Sequence, residues 1–235
     1  MTNTHPLWSD DYWILVLQLY MRKPVGMKPM YSRATVELCI ELHIPPAFIY
    51  AKMYALRRLE APSLRRLWSK YTQDTRRLAR DARAVRRMKG FGCGNLFYEG
   101  VETRETFERD FLPIAGNEAL KPVMLIISLD LYFRLMPQTM VADTPEVRQT
   151  ARMMRISAED EVYILAMFRR LDPFLNGGNT EPKAGSELMK ACLDVWQRFG
   201  NGNPEELSAT AALMRDYFKS PAVSPQTAKR RQSKH

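Results

Sequence analysis

The run LQLYMR, beginning at Leu17, returns as LDLYFR at Leu129, an offset of 112 residues. The same offset, without a gap, carries Ile44 onto Ile156 and RRLE at Arg57 onto RRLD at Arg169. Eight of the 44 positions from Leu17 to Glu60 are identical under this shift. A fixed offset with shared punctuation predicts a duplicated module, so each copy must bury its own apolar face within about half the chain.

Each copy reads as three helices. In the first, WSDDYWILVLQLYMRK is apolar, opened by Ser9 as N-cap with acids just after it, and closed before Pro24. Val36, Leu38, Cys39 and Leu42 form one stripe on a second helix capped by Ser32. Pro46 opens a third, in which Ile49, Met53 and Leu56 recur at steps of four and three. The short IPPA turn between the second and third matches the helix-turn-helix plan. In the second copy the helices are NEALKPVMLIISLDLYFRL, TPEVRQTARMMR and SAEDEVYILAMFRRL. Ser157 and Asp160 give the last of these a capping-box pattern.

Between the copies, Leu64, Leu67, Tyr71, Thr75, Leu78, Ala82 and Val85 keep helical steps. One amphipathic helix is predicted from Pro62 to Lys89, about 40 Å long at 1.5 Å per residue. Gly90 is its expected stop. Arg65, Arg76, Arg80, Arg83 and Arg87 project opposite Tyr71. The expected fold is therefore all-α, with two related three-helix, helix-turn-helix-like modules joined by a long basic amphipathic helix. Residues 1–60 form the first module and 61–92 the connecting helix. A linker with a short helix near Arg104 to Phe111 fills 93–116. The second module, with two closing helices, spans 117–219. A basic tail, 220–235, has no apolar pattern and is expected to be disordered.

Charge is uneven along the chain. Leu64 to Lys89 holds ten Lys/Arg against Asp74 and Asp81, and Lys219 to His235 holds five Lys/Arg and no acid. With a total of +9, the remainder is net acidic. Concentrated positive charge suits a polyanionic partner better than an evenly basic surface does. At 46% hydrophobic and 26% charged residues, the composition fits neither a disordered chain nor a membrane span. The run PVMLIISLDLYFRL is interrupted by Asp130 and is too short to cross a bilayer, and MTNTHPLWSDDYW lacks the layout of a signal peptide. The expected location is the cytoplasm. Cys39, Cys93 and Cys192 are distant and odd in number, which predicts reduced core or loop thiols.

Chemistry finds little footing. His5, His43 and His235 stand in unrelated places, so no metal or cofactor is implied. The sequence has no GxSxG elbow and no Walker A run, and GFGCGN follows a helix, where it reads as a turn. Asp172, Glu181 and Lys183 have the D…ExK spacing of metal-dependent nucleases, but they lie around a proline- and glycine-containing loop. The chain is read as having no enzymatic activity and no catalytic residues.

The first copy's third helix offers Lys52, Arg57 and Arg58, with Tyr50 and Tyr54 off its buried face and no acid. Its counterpart opens with Glu159, Asp160 and Glu161 and is expected to present Tyr163, Ile164 and Met167 as a packing or dimerisation surface. The expected groove readers are therefore Tyr50, Lys52, Tyr54, Arg57 and Arg58. The expected phosphate contacts are Arg76, Arg77, Arg80, Arg83, Arg86, Arg87 and Lys89. Duplex DNA is the expected partner, which suits a transcriptional regulator. The same features also suit RNA stacked on Tyr50, or a helical scaffold whose arginine face docks an acidic protein.

Trp8-Ser-Asp-Asp11, Leu17-x-Leu19-Tyr20 and Pro24, with a later leucine-acid-proline signature, resemble the helical region that precedes HNH nuclease domains in some bacterial proteins. The signature is intact at Arg170-Leu171-Asp172-Pro173 and reads Leu59-Glu60-Ala61-Pro62 in the first copy. The resemblance covers about sixty residues of each copy. It implies a DNA-binding helix-turn-helix module without nuclease activity, since no histidine cluster follows.

Overall fold

A computed structural model describes residues 5–92, 107–175 and 186–219. Among these the chain is all-α, with no strand. After a 3-10 turn at Asp10–Tyr12 capped by Ser9, α1 (Trp13–Met21), α2 (Arg33–Leu42) and α3 (Pro46–Arg58) follow in order. The Ser32 hydroxyl accepts the Thr35 N–H to start α2, and Pro46 starts α3 where a missing N–H costs nothing.

The predicted connecting helix is not continuous. It is two helices, α4 (Pro62–Tyr71) and α5 (Thr75–Val85). Asp74 caps α5 by accepting the Arg77 N–H at 2.8 Å, and Thr72 bonds back to the Trp68 carbonyl at 2.9 Å. The chain breaks because both apolar faces enter one core: Leu64 and Tyr71 are buried with Leu78, Ala82 and Val85 against Leu15, Leu19 and Leu42. Segment 61–92 thus completes the first core. Gly90, at φ 88°, lies in the turn beyond α5 and not at its last residue.

The second half contains α6 (Pro122–Arg134), α7 (Pro145–Met154), α8 (Ala158–Leu171), α9 (Glu187–Phe199), α10 (Pro204–Met214) and the short α11 (Asp216–Lys219). The capping box at Ser157 and Asp160 is formed in full. Helix α6 begins at Pro122, later than the expected Asn117, because a residue before proline is driven extended. Lys121 has φ −136° and ψ 150°. The expected helix near Arg104 to Phe111 is, in its described part, a 3-10 helix over Phe107–Phe111. Its start, Cys93, Glu181, Lys183 and the tail lie outside the described residues.

Under the 112-residue offset α2 maps onto α7 end to end and α3 and α8 begin together at Pro46 and Ala158, whereas α6 starts earlier and ends later than the shifted bounds of α1. Both turns close alike. His43 (φ 54°) and Arg155 (φ 64°) are left-handed, and Ile44 and Ile156 donate to the carbonyls of Cys39 and Ala151 at 3.0 and 3.1 Å. The interiors differ. Val16 and Ile49 are fully buried in the first half, whereas the corresponding Ser128 and Glu161 form a buried hydrogen bond of 2.9 Å.

The two cores meet at α2. Leu38, Cys39 and Leu42 belong to the first, while Val36 is buried in the second with Tyr31 and Ile40 packed on it. Tyr31 stacks on Phe111, and His43 Nδ1 lies 2.9 Å from Glu108 Oε1. A bidentate pair between Arg198 and Asp110, at 2.7 and 2.8 Å, fixes the 3-10 segment to α9.

Candidate nucleic-acid interface

Helices α4 and α5 turn their apolar faces inward, so their polar faces must carry the charge. Acids are too few to neutralise it. Asp74 is committed to the α5 cap. Asp81 accepts the Tyr71 hydroxyl at 2.9 Å and pairs with Arg80 at 3.0 Å and Arg77 at 3.9 Å. Bonds from Arg80 and then Tyr71 hold the Asp81 carboxyl below its usual range.

Arg86 is occupied differently. Its guanidinium meets Glu41 at 2.5 and 3.0 Å and donates to Gln18 at 3.0 Å. That network joins α1, α2 and the end of α5, so Arg86 is a packing residue and not an open phosphate contact. Arg76, Arg83, Arg87 and Lys89 are exposed and have no ion pair among the described residues. Arg66, outside the expected set, shares this condition. Lys70 is also exposed, with its ammonium 4.8 Å from the Tyr71 ring.

Helix α3 places the expected groove readers unequally. Lys52 holds its ammonium 4.8, 5.0 and 5.4 Å from the rings of Phe48, Trp8 and Trp13. Such a cation–π cluster engages the charge within the protein. Tyr50 is half-buried and packs on the first core. Tyr54 is 46% exposed, with the Arg58 guanidinium 5.7 Å from its ring. Arg57 is exposed at the end of α3, one short turn before α4. Arg58 also pairs with Glu60 at 3.7 Å, so the open residues on α3 are Tyr54 and Arg57. Both α3 and α5 pack on α1.

The counterpart surface in the second half is smaller than expected. Ile164 and Met167 are buried in their own core, and only Tyr163 is exposed. Asp172 accepts the Tyr132 hydroxyl at 2.7 Å and the Phe174 N–H at 2.9 Å, an arrangement that ends α8. Burial, followed by this bond, raises the Tyr132 pKa. No group of three or more His, Cys, Asp or Glu among the described residues could hold a metal ion. Cys39 and Cys192 are buried free thiols, and burial pushes Cys192 up to about 12. No helix is long and apolar enough to cross a membrane among the described residues.

Compared with known proteins, the chain matches no family model, no curated protein and no solved structure.

Proposed function

We propose that the protein is a non-enzymatic DNA-binding regulator that grips duplex phosphates with α4 and α5 and approaches the groove with the exposed end of α3. One observation carries this reading: Arg66 on α4, Arg76 and Arg83 on α5, and Arg87 and Lys89 in the turn beyond it are exposed without a carboxylate partner among the described residues, while the apolar faces of both helices are already buried. Unpaired cations on a fixed frame release counterions when they meet a polyanion, which favours association with any duplex. Tyr54 and Arg57, on a helix without acids, supply side chains for base edges.

The test separates the two roles. Reversing Arg83 and Arg87 to glutamate should weaken binding to all duplex sequences alike, and Tyr54→Ala should chiefly change the ranking among sequences. Identical profiles for both variants over a panel of labelled duplexes would refute the division. A protein partner with an acidic surface is the competing outcome, signalled by no DNA binding even at low salt.

A further inference from the structure

Where α2, α6, α7 and α11 meet, a cleft of about 290 Å³ collects charge of one sign. Arg33 from the first turn of α2, Lys121 just before α6 and Arg155 closing α7 line it, together with Tyr217, Met124 and Phe218. No carboxylate lines it among the described residues. Three cations on one small, partly apolar cavity repel each other more than they would in water. Packing alone gives no reason for them to converge.

Tyr217 organises two of the three. Its ring is 7% exposed and therefore fixed. Lys121 Nζ donates to its hydroxyl at 3.0 Å and lies 5.3 Å from the ring centroid, and the Arg33 guanidinium lies 5.5 Å from the same ring. A neutral platform orients these charges without cancelling them. Arg33 has Glu37 one turn along at 3.5 Å, but the Glu37 side chain is 52% exposed, so the pair is weak. Arg155 has no ion pair among the described residues. The beginnings of α2 and α6 and the end of α7 meet here, so their dipoles partly cancel and the side chains set the sign of the field.

We propose that this cleft binds a small organic phosphate, with the dianion held by Arg33, Lys121 and Arg155 and the apolar group resting on Met124 and Phe218. Two guanidinium forks and an ammonium supply donors for all the free oxygens of a tetrahedral dianion and outweigh its charge, whereas a carboxylate monoanion satisfies one fork. The volume suits a phosphate bearing about one ring and lies at the small end of ligand sites. Because α2 contributes to the first core and α6 and α7 to the second, the bound phosphate ties the halves together. This proposal does not depend on DNA binding.

Phenyl phosphate is the probe, titrated into the full chain at constant ionic strength by calorimetry, with thermal unfolding in parallel. Saturable binding is expected, with a rise in Tm of about 5 °C or more at a concentration 100-fold above Kd. Arg155→Gly should lose about tenfold in affinity or more. Glycine suits the left-handed backbone there, so that loss cannot come from a weakened fold. Lys121→Met, which keeps an apolar stem over Tyr217, should act in the same direction. Arg83→Glu with Arg87→Glu should bind phenyl phosphate as the wild type does, which separates this site from the DNA surface. Unchanged affinity in Arg155→Gly, tighter binding of benzoate, or a Tm rise reproduced by sodium chloride would each overturn the assignment.

Discussion

Tyr71 donates its hydroxyl hydrogen to Asp81 Oδ2 at 2.9 Å, across the turn that separates α4 from α5. In a continuous helix, residues ten positions apart would stand about 15 Å apart along the axis. The bond therefore belongs to a folded-back pair of helices and helps to hold their cationic faces in place. Tyr71→Phe should lower Tm by about 2 °C. The Asp81 pKa is depressed in the folded state, so this contribution is present above the ordinary carboxylate range and is lost as pH falls through the lowered value. Wild type and Tyr71→Phe should converge in acid unfolding curves. A constant gap from pH 7 to pH 3 would count against the bond.

Glu161 is fully buried, with Oε2 bonded to Ser128 and Oε1 without a partner among the described residues, and burial raises its pKa to about 7. A raised folded pKa stabilises below the unfolded value and loses that contribution as pH rises. Stability should thus decline between about pH 4 and pH 7 and flatten above, by about 3 kcal/mol in total from this group. Glu161→Gln should remove this component, which denaturant unfolding at pH 5 and pH 8 would measure. The double change Ser128→Val, Glu161→Ile copies the buried Val16 and Ile49 pair of the first half and should be more stable than wild type at pH 8.

Gly200 is held by close approach. A Cβ there would lie 2.6 Å from Trp196 Cδ2 and 2.8 Å from the Trp196 carbonyl oxygen. Trp196 is packed against Phe168 and Phe133 and cannot yield freely. Gly200→Ala should cost about 1–3 kcal/mol by denaturant unfolding. A neutral effect would mean that the end of α9 is loosely packed.

Arg86 and Arg87 are adjacent but should behave as opposites. Arg86→Ala removes the bonds to Glu41 and Gln18 and should lower stability, with little change in the salt slope of DNA binding. Arg87→Ala should leave stability within about 0.5 kcal/mol and reduce that slope by about one. Thermal unfolding and binding titrations on the same samples would compare them.

Local signals made much of the fold legible. Ser32, Pro46 and Ser157 announced α2, α3 and α8, and the apolar spacing placed their buried faces. The break at 72–74 also had a signal, Asp74 standing three residues before Arg77 as an N-cap, but an unbroken apolar seam concealed it. Charge density along the chain marked α4 and α5 as cationic but could not show which cations of the candidate surface are already engaged, as Arg86 and Lys52 are. Glu41 lies 45 residues from Arg86, and Trp8 lies far from Lys52 in sequence, so no helical period connects those partners. The burial of Ile164 and Met167 was likewise decided by tertiary packing around α6 and α9.

The salt dependence of binding to a labelled random duplex, followed by fluorescence anisotropy, decides whether α4 and α5 grip phosphates. With six or more phosphate contacts, affinity should fall by about three decades or more between 50 and 200 mM salt. In the Arg83→Glu, Arg87→Glu variant the log-log slope should fall by about two or more. Absence of binding at 50 mM salt, or a slope the double reversal leaves unchanged, would contradict the assignment of α4 and α5 as a phosphate-gripping surface.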